Sequence, residues 1–195
     1  MDELQKKIVD YVEANGKTYQ QIALEIHEKP EVSNYEFFAS KRLADQIKSV
    51  GFEVEMPAAG HRTGFAASYK SGKPGPVMVF LAEYDALVGL GHGCGHNLFG
   101  ATSSLAAAAL KSVIDEVGGE VRLYGTPGEE GGETEVRREA LSARDISRTL
   151  TRLFPHIRVW DIALQKKHLD VFRSILNSGV RRLMRLRHRS RESML

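Results

Sequence analysis

The chain has 195 residues, 42% of them hydrophobic and 27% charged, with a formal net charge of +2 and a single cysteine. One cysteine excludes an internal disulfide framework and a multi-cysteine zinc module. The polar opening from Met1 to Lys7 and the lack of a long uncharged apolar run argue against a signal sequence or membrane span, so a soluble, cytoplasmic chain with a sizeable core is expected.

The near-neutral total hides two unlike parts. Residues 1–133 hold 12 basic and 19 acidic side chains, a net −7, whereas residues 134–195 hold 15 basic and 6 acidic ones, a net +9. Of the 18 glycines only Gly179 falls in the second part, and 13 of the 16 arginines do. The composition predicts a boundary near Glu133.

Within the first part, Leu4, Ile8, Val9 and Val12 recur at helical spacing over residues 2–14, and Ile22, Ala23 and Ile26 do so over 19–27, predicting two amphipathic segments. Pro30 interrupts the pattern. Asn34 is placed to cap a further helix whose inner face would carry Phe37, Phe38, Leu43, Ile47 and Val50, ending near Gly51. Residues 52–56 and 64–69 alternate with period two, as half-buried strands do. The turn Ser71-Gly-Lys-Pro-Gly-Pro76 leads to the apolar run Val77-Met-Val-Phe-Leu-Ala82, which predicts a strand central in its sheet. Leu98 to Val113 reads as a helix, Gly118-Gly119 closes it, and Val121 to Tyr124 forms another strand. Strand, loop, helix, strand is an α/β unit, and such folds bind ligands in loops at the carboxyl ends of their strands.

Two such loops carry chemistry. In Glu83-Tyr-Asp-Ala-Leu-Val-Gly-Leu-Gly-His-Gly-Cys-Gly-His-Asn97, the side chains of His92, Cys94 and His96 would share a face if the segment were extended. Thiolate and imidazole together suit a borderline divalent metal such as zinc, manganese, cobalt or nickel, and Glu83 or Asp85 is placed to orient an imidazole. The second loop, Gly125-Thr-Pro-Gly-Glu-Glu-Gly-Gly-Glu133, sets two adjacent carboxylates at a strand end, where one can ligate a cation while the other accepts a proton from water. The plainer alternatives are a buried thiol flanked by loop histidines and a pair of solvated glutamates. His27 and His61 stand alone and read as surface or capping residues. A nucleotide loop fails on spacing, because Cys94, His96 and Leu98 occupy the positions where a third glycine would be needed.

The motifs Ile26-His-Glu-Lys-Pro-Glu31, Gly51-Phe-Glu-Val54, Phe80-Leu-Ala-Glu-Tyr-Asp-Ala-Leu87, Gly91-His-Gly-Cys-Gly-His-Asn97 and Gly125-Thr-Pro-Gly-Glu-Glu-Gly-Gly132 occur together and in order. As a set they resemble the M20 family of metallopeptidases, in the amidohydrolase and dipeptidase branch that includes p-aminobenzoyl-glutamate hydrolase. The resemblance covers about residues 1–133. It implies a zinc-exopeptidase-like α/β catalytic domain with a central mixed sheet flanked by helices, hydrolysing an amide bond in a small N-acyl amino acid or dipeptide at a centre of one or two divalent ions. By position, Cys94, His96 and Glu130 match metal ligands, Glu129 matches the general base, and Asp85 matches a supporting acid. Members of the family are longer, with a lid and dimerisation domain and two later histidine ligands. Nothing after Glu133 resembles that continuation, so a truncated domain without its homodimer interface, weakly active or inactive, is expected. His156, His168 and His188 receive no role.

The Arg-rich remainder, residues 134–195, supports two accounts. The stretch from Val180 to Arg191 has the charge of a basic helix for nucleic acid or an anionic surface. Arg, Leu and Ser, each with six codons, make up 28 of these 62 residues against 21 of the first 133, a bias that favours a shifted reading frame. The competing functional class is a non-catalytic protein on a degenerate hydrolase domain that binds metal or associates with nucleic acid. That partner is the lesser expectation, and a membrane partner is not expected.

Overall fold

The computed structural model describes residues 2–131. The expectations for residues 134–195, whether basic helix or frameshifted tail, lie outside the described residues.

Helix α1 spans Glu3–Glu28 and is continuous, where two segments were expected. The chain crosses Gly16 without a break. A glycine inside a helix costs about 1 kcal/mol relative to alanine, and the stripe Ile8, Tyr19, Ile22, Ala23 and Ile26, buried as α1 packs on the third helix, outweighs it. Asp2 and Gln5 close the amino end with a reciprocal capping box.

Helix α2, Phe37–Ser49, starts later than an Asn34 cap would give. Asn34 instead sits at φ +66, in the left-handed region, within the turn that precedes the helix. The carboxylate of Glu31 does the capping from a distance, accepting from the amides of Phe38 and Ala39 at 2.9 Å. The buried face is Ala39, Ser40, Leu43, Ala44 and Ile47; Phe37, expected inside, is exposed.

Strands β1 (Glu53–Glu55), β2 (Phe65–Lys70), β3 (Val77–Ala82) and β4 (Glu120–Gly125) form one mixed sheet in the order β1-β2-β4-β3, with helix α3 (His96–Val117) linking the last two strands. β4 is antiparallel to β2 and parallel to β3. Among the described residues β3 therefore lies at the edge of the sheet, not at its centre as its apolar run suggested. The chain returns through α3 to place β4 between β2 and β3, and β4 is the strand buried along most of its length. Alanines fill the inner face of α3, and Gly100 lets it approach the end of β3: a Cβ there would sit 2.8 Å from the carbonyl oxygen of Glu83. No described helix is long and apolar enough to cross a membrane.

The β3–α3 unit and its parallel neighbour β4 bring two loops side by side. Thr126 donates its amide to the carbonyl of Ala82 at 2.9 Å, which carries the β3–β4 pairing one residue past the end of β4. The loops after β3 and after β4 consequently leave from the same end of the sheet, the carboxyl ends of these two parallel strands.

Candidate active site

The loop after β3 ends in a tight turn. Gly95 takes φ +88, a conformation that favours glycine, and the next residue, His96, opens α3. The segment is turned, not extended, so His92, Cys94 and His96 do not share a face. His92 packs against His27, with ring centroids 6.2 Å apart, and is in neither set of converging donors. The expected triple cluster is a pair, Cys94 and His96.

His96 is the hub. Its side chain is 9% exposed, and its Nδ1 lies 2.9 Å from Asp85 Oδ1 and 3.2 Å from the Asp85 carbonyl oxygen. A donor at Nδ1 facing two acceptors fixes the ring and leaves Nε2 unprotonated in the neutral form. The hydrogen bond to Asp85 leads the effects that hold the imidazole above its ordinary pKa, with burial opposing it and the charges of Asp85, Glu83 and Glu130 assisting. Asp85 is fully buried. Burial works to raise its carboxyl, but bonds from His96, the Glu130 amide and the Ser33 hydroxyl outweigh that and hold it below the usual value.

Three carboxylates converge on the free nitrogen: Glu83 Oε2 at 3.4 Å, Glu129 Oε2 at 3.7 Å and Glu130 Oε1 at 3.8 Å from Nε2. These separations are too long for direct hydrogen bonds. Two ligands about 2.1 Å from a tetrahedral ion stand about 3.4 Å apart, so these separations are compatible with a cation among the donors. The donor atoms of Cys94, His96 and Glu130 lie within 4.8 Å of one another, as do those of Glu83, His96 and Glu129. His96 belongs to both sets. Thiolate, imidazole and carboxylate fit a borderline divalent metal.

The electrostatics agree with that fit. Burial pushes the Glu83 carboxyl up, with the His96 ring opposing and the charges of Glu129, Asp85 and Glu130 adding to the rise. Burial likewise raises the Cys94 thiol, with Glu130 contributing. Crowded acids and a reluctant thiol gain from a nearby cation, which favours the charged form of each.

Comparisons with known proteins bear on this arrangement. No family model matches the chain. One component of the p-aminobenzoyl-glutamate hydrolase of Escherichia coli is 40% identical over 151 residues, covering 68% of this chain and 31% of that protein. A solved dinuclear metal-binding peptidase of the M20 family from Bacillus subtilis superposes with a TM-score of 0.58 at 25% identity, covering 70% of this chain and 40% of that one. Part of the chain belongs to the M20 family. The Xaa-Arg dipeptidase of Mus musculus is 37% identical over 98 residues, which is 42% of this chain and 23% of that protein. The M20 segment thus spans about a third or less of these curated relatives, which are hydrolases.

Within the M20 segment, the structure brings Asp85, Cys94, His96, Glu129 and Glu130 together, the five residues to which the family resemblance assigned roles, whereas His92 of the same loop is in neither donor set. Glu83 joins them on the Nε2 side of His96, whereas its position in the sequence suited it to orienting the ring. Ser33 and Glu36 were missed. They lie in the Val-Ser-Asn-Tyr-Glu turn before α2, whose residues have no motif spacing relative to either loop and reach them only through the fold.

Proposed function

We propose that this chain carries the metal-binding and proton-transfer half of an M20-type hydrolase site that cleaves an amide bond in a small N-acyl amino acid or dipeptide. The observation that carries the reading is the convergence of three carboxylates on the Nε2 of an imidazole whose other nitrogen is tied to Asp85.

Cys94, His96 and Glu130 would hold the divalent ion, with Glu83 as a further carboxylate on the same side. Zinc, manganese, cobalt and nickel all suit that donor set. When bound, the ion supplies Lewis acidity for the amide carbonyl and raises the acidity of water beside it. The chain's own residues divide the remaining work. Asp85 holds the proton on His96 Nδ1 and keeps the ring aimed. Glu129, whose side chain is 44% exposed, is open to an incoming substrate, and its Oε2 takes the proton from the attacking water and returns it to the leaving amine nitrogen. Glu130 is held more firmly, since its amide is bonded to Asp85, which suits a ligand. Cys94 serves as a thiolate, so the reaction belongs in a reducing compartment such as the cytoplasm.

The test is hydrolysis of a panel of N-acyl amino acids and dipeptides by the full chain with added divalent metal. Turnover that disappears on chelation and in Glu129→Gln supports the reading. Binding of polyanion released by salt, without turnover or metal uptake, supports the non-catalytic alternative.

A further inference from the structure

The loop that carries Glu129 and Glu130 hangs from two buried carboxylates. Gly128 donates its amide to Glu36 Oε1 at 2.9 Å, and Glu130 donates its amide to Asp85 Oδ2 at 2.9 Å. Glu129 lies between the two anchored amides. Asp85 also touches the metal cluster through His96, whereas Glu36 touches no member of it and has no part in the chemistry above.

Glu36 is nevertheless fully buried. Its oxygens reach three separate segments: the amide of Asn34 at 2.7 Å in its own turn, the hydroxyl of Thr63 at 2.7 Å in the connection between β1 and β2, and the amide of Gly128 beyond β4. The fit is close. Gly128 has φ +72, and a Cβ there would come 3.0 Å from the side-chain nitrogen of Asn34. An acid taken out of water costs stability unless its bonds are specific, and an apolar residue fills core space without that cost. A buried acid retained where three segments meet is a device for fixing their geometry.

We infer that Glu36 is a positioning residue for the catalytic loop: its carboxyl group holds the Gly128 amide, and with Asp85 on the Glu130 amide it fixes Glu129 between two anchored points. The inference rests on the reading of Glu129 as base and Glu130 as ligand. Asp85 governs the ring and one end of the loop, and Glu36 governs the other end.

The test compares the full chain with Glu36→Gln, Glu36→Asp and Glu36→Leu, using amide hydrogen exchange at Gly128 and titration with Co²⁺ followed by its visible absorption. Wild type should protect the Gly128 amide. The Gln variant keeps an acceptor at the Oε1 position and should retain both that protection and near-normal Co²⁺ affinity. The Leu variant should exchange Gly128 rapidly, alter the Co²⁺ spectrum and lose about 10–100-fold in affinity. If Leu prevents folding, the Asp variant decides: the Asn34 and Gly128 amides share Oε1, and a carboxylate one methylene shorter falls back toward its own turn and away from Gly128, so Gly128 should exchange faster than in the Gln variant. Fast Gly128 exchange in wild type overturns the inference, as does wild-type protection and affinity in a folded Leu or Asp variant. A chain that takes up no Co²⁺ in any form contradicts the hydrolase reading, and the Gly128 exchange rates then decide alone whether Glu36 anchors the loop.

Discussion

Asp85 and His96 form the joint on which the site turns: Oδ1 of the buried acid lies 2.9 Å from Nδ1 of the ring, while Oδ2 accepts from Ser33 at 2.8 Å and from the Glu130 amide at 2.9 Å. One side chain thereby aims the imidazole and tethers the neighbouring loop. Asp85→Asn should disturb both, because an amide that keeps its oxygen toward Nδ1 turns its NH₂ toward the Glu130 N–H, a donor facing a donor. Metal affinity should fall by about 10–100-fold. Titration with Co²⁺ or Zn²⁺ checks this, and unchanged affinity would show that Asp85 does not orient the ligands.

Glu129 and Glu130 are adjacent yet should fail differently. Glu130→Gln should weaken metal binding, since its carboxylate stands in the donor set with Cys94 and His96. Glu129→Gln should leave metal binding near wild type and lower any turnover by about 10²–10⁴-fold, the usual loss when a general base is removed. Parallel metal titrations and hydrolysis assays on the two variants separate the roles, and equal effects on both readouts would show that the division is wrong.

Much of this site was legible from local sequence because its parts are close along the chain. Cys94, His96, Glu129 and Glu130 are marked by glycine-rich loops at strand ends, and the strands themselves show in their period-two or continuous apolar patterns. What local pattern does not encode is the direction of a turn: Gly95 at positive φ breaks the extended run between Cys94 and His96, and His92 packs on His27. Nor does it encode the order of strands, since a six-residue apolar run suits the edge strand β3 as well as a central one until α3 carries the chain back to place β4. Ser33 and Glu36 were invisible for the same reason. Their partners, Asp85 and Gly128, are 52 and 92 residues away.

Glu36 gives a pH signature. Burial pushes its carboxyl above the ordinary 4.5, outweighing the bonds from Thr63 and the surrounding amides. An acid whose folded pKa lies above its unfolded value contributes stability that is present below the unfolded pKa and is lost as pH rises through the folded one. Gln at this position carries no such proton. Glu36→Gln should therefore gain stability relative to wild type as pH rises from about 4.5 to neutrality, read from urea midpoints at both ends. A difference that stays flat, or moves against Gln, contradicts the raised carboxyl.

Two glycine substitutions should move stability in opposite directions. A Cβ at Gly16 meets nothing within 4 Å, so Gly16→Ala should stabilise α1 by about 0.5–1 kcal/mol. At Gly100 it would crowd the Glu83 carbonyl at 2.8 Å and a Leu43 methyl at 2.9 Å, and the overpacking should cost about 1–3 kcal/mol before a smaller helix-propensity gain. Because Glu83 faces His96, Gly100→Ala should also weaken metal binding, which Gly16→Ala should not. Thermal melts with and without added metal check both.

The proposed chemistry depends on Cys94, His96 and Glu130 holding one divalent ion through sulfur, nitrogen and oxygen. Because Cys94 is the only cysteine in the chain, Co²⁺ titration of wild type beside Cys94→Ser reports on it without ambiguity. Wild type should take up a stoichiometric ion with a thiolate-to-cobalt charge-transfer band, and the Ser variant should lose that band and bind more weakly. Failure of wild type to bind Co²⁺, or a spectrum and affinity that the Ser substitution leaves unchanged, would contradict the proposed metal site.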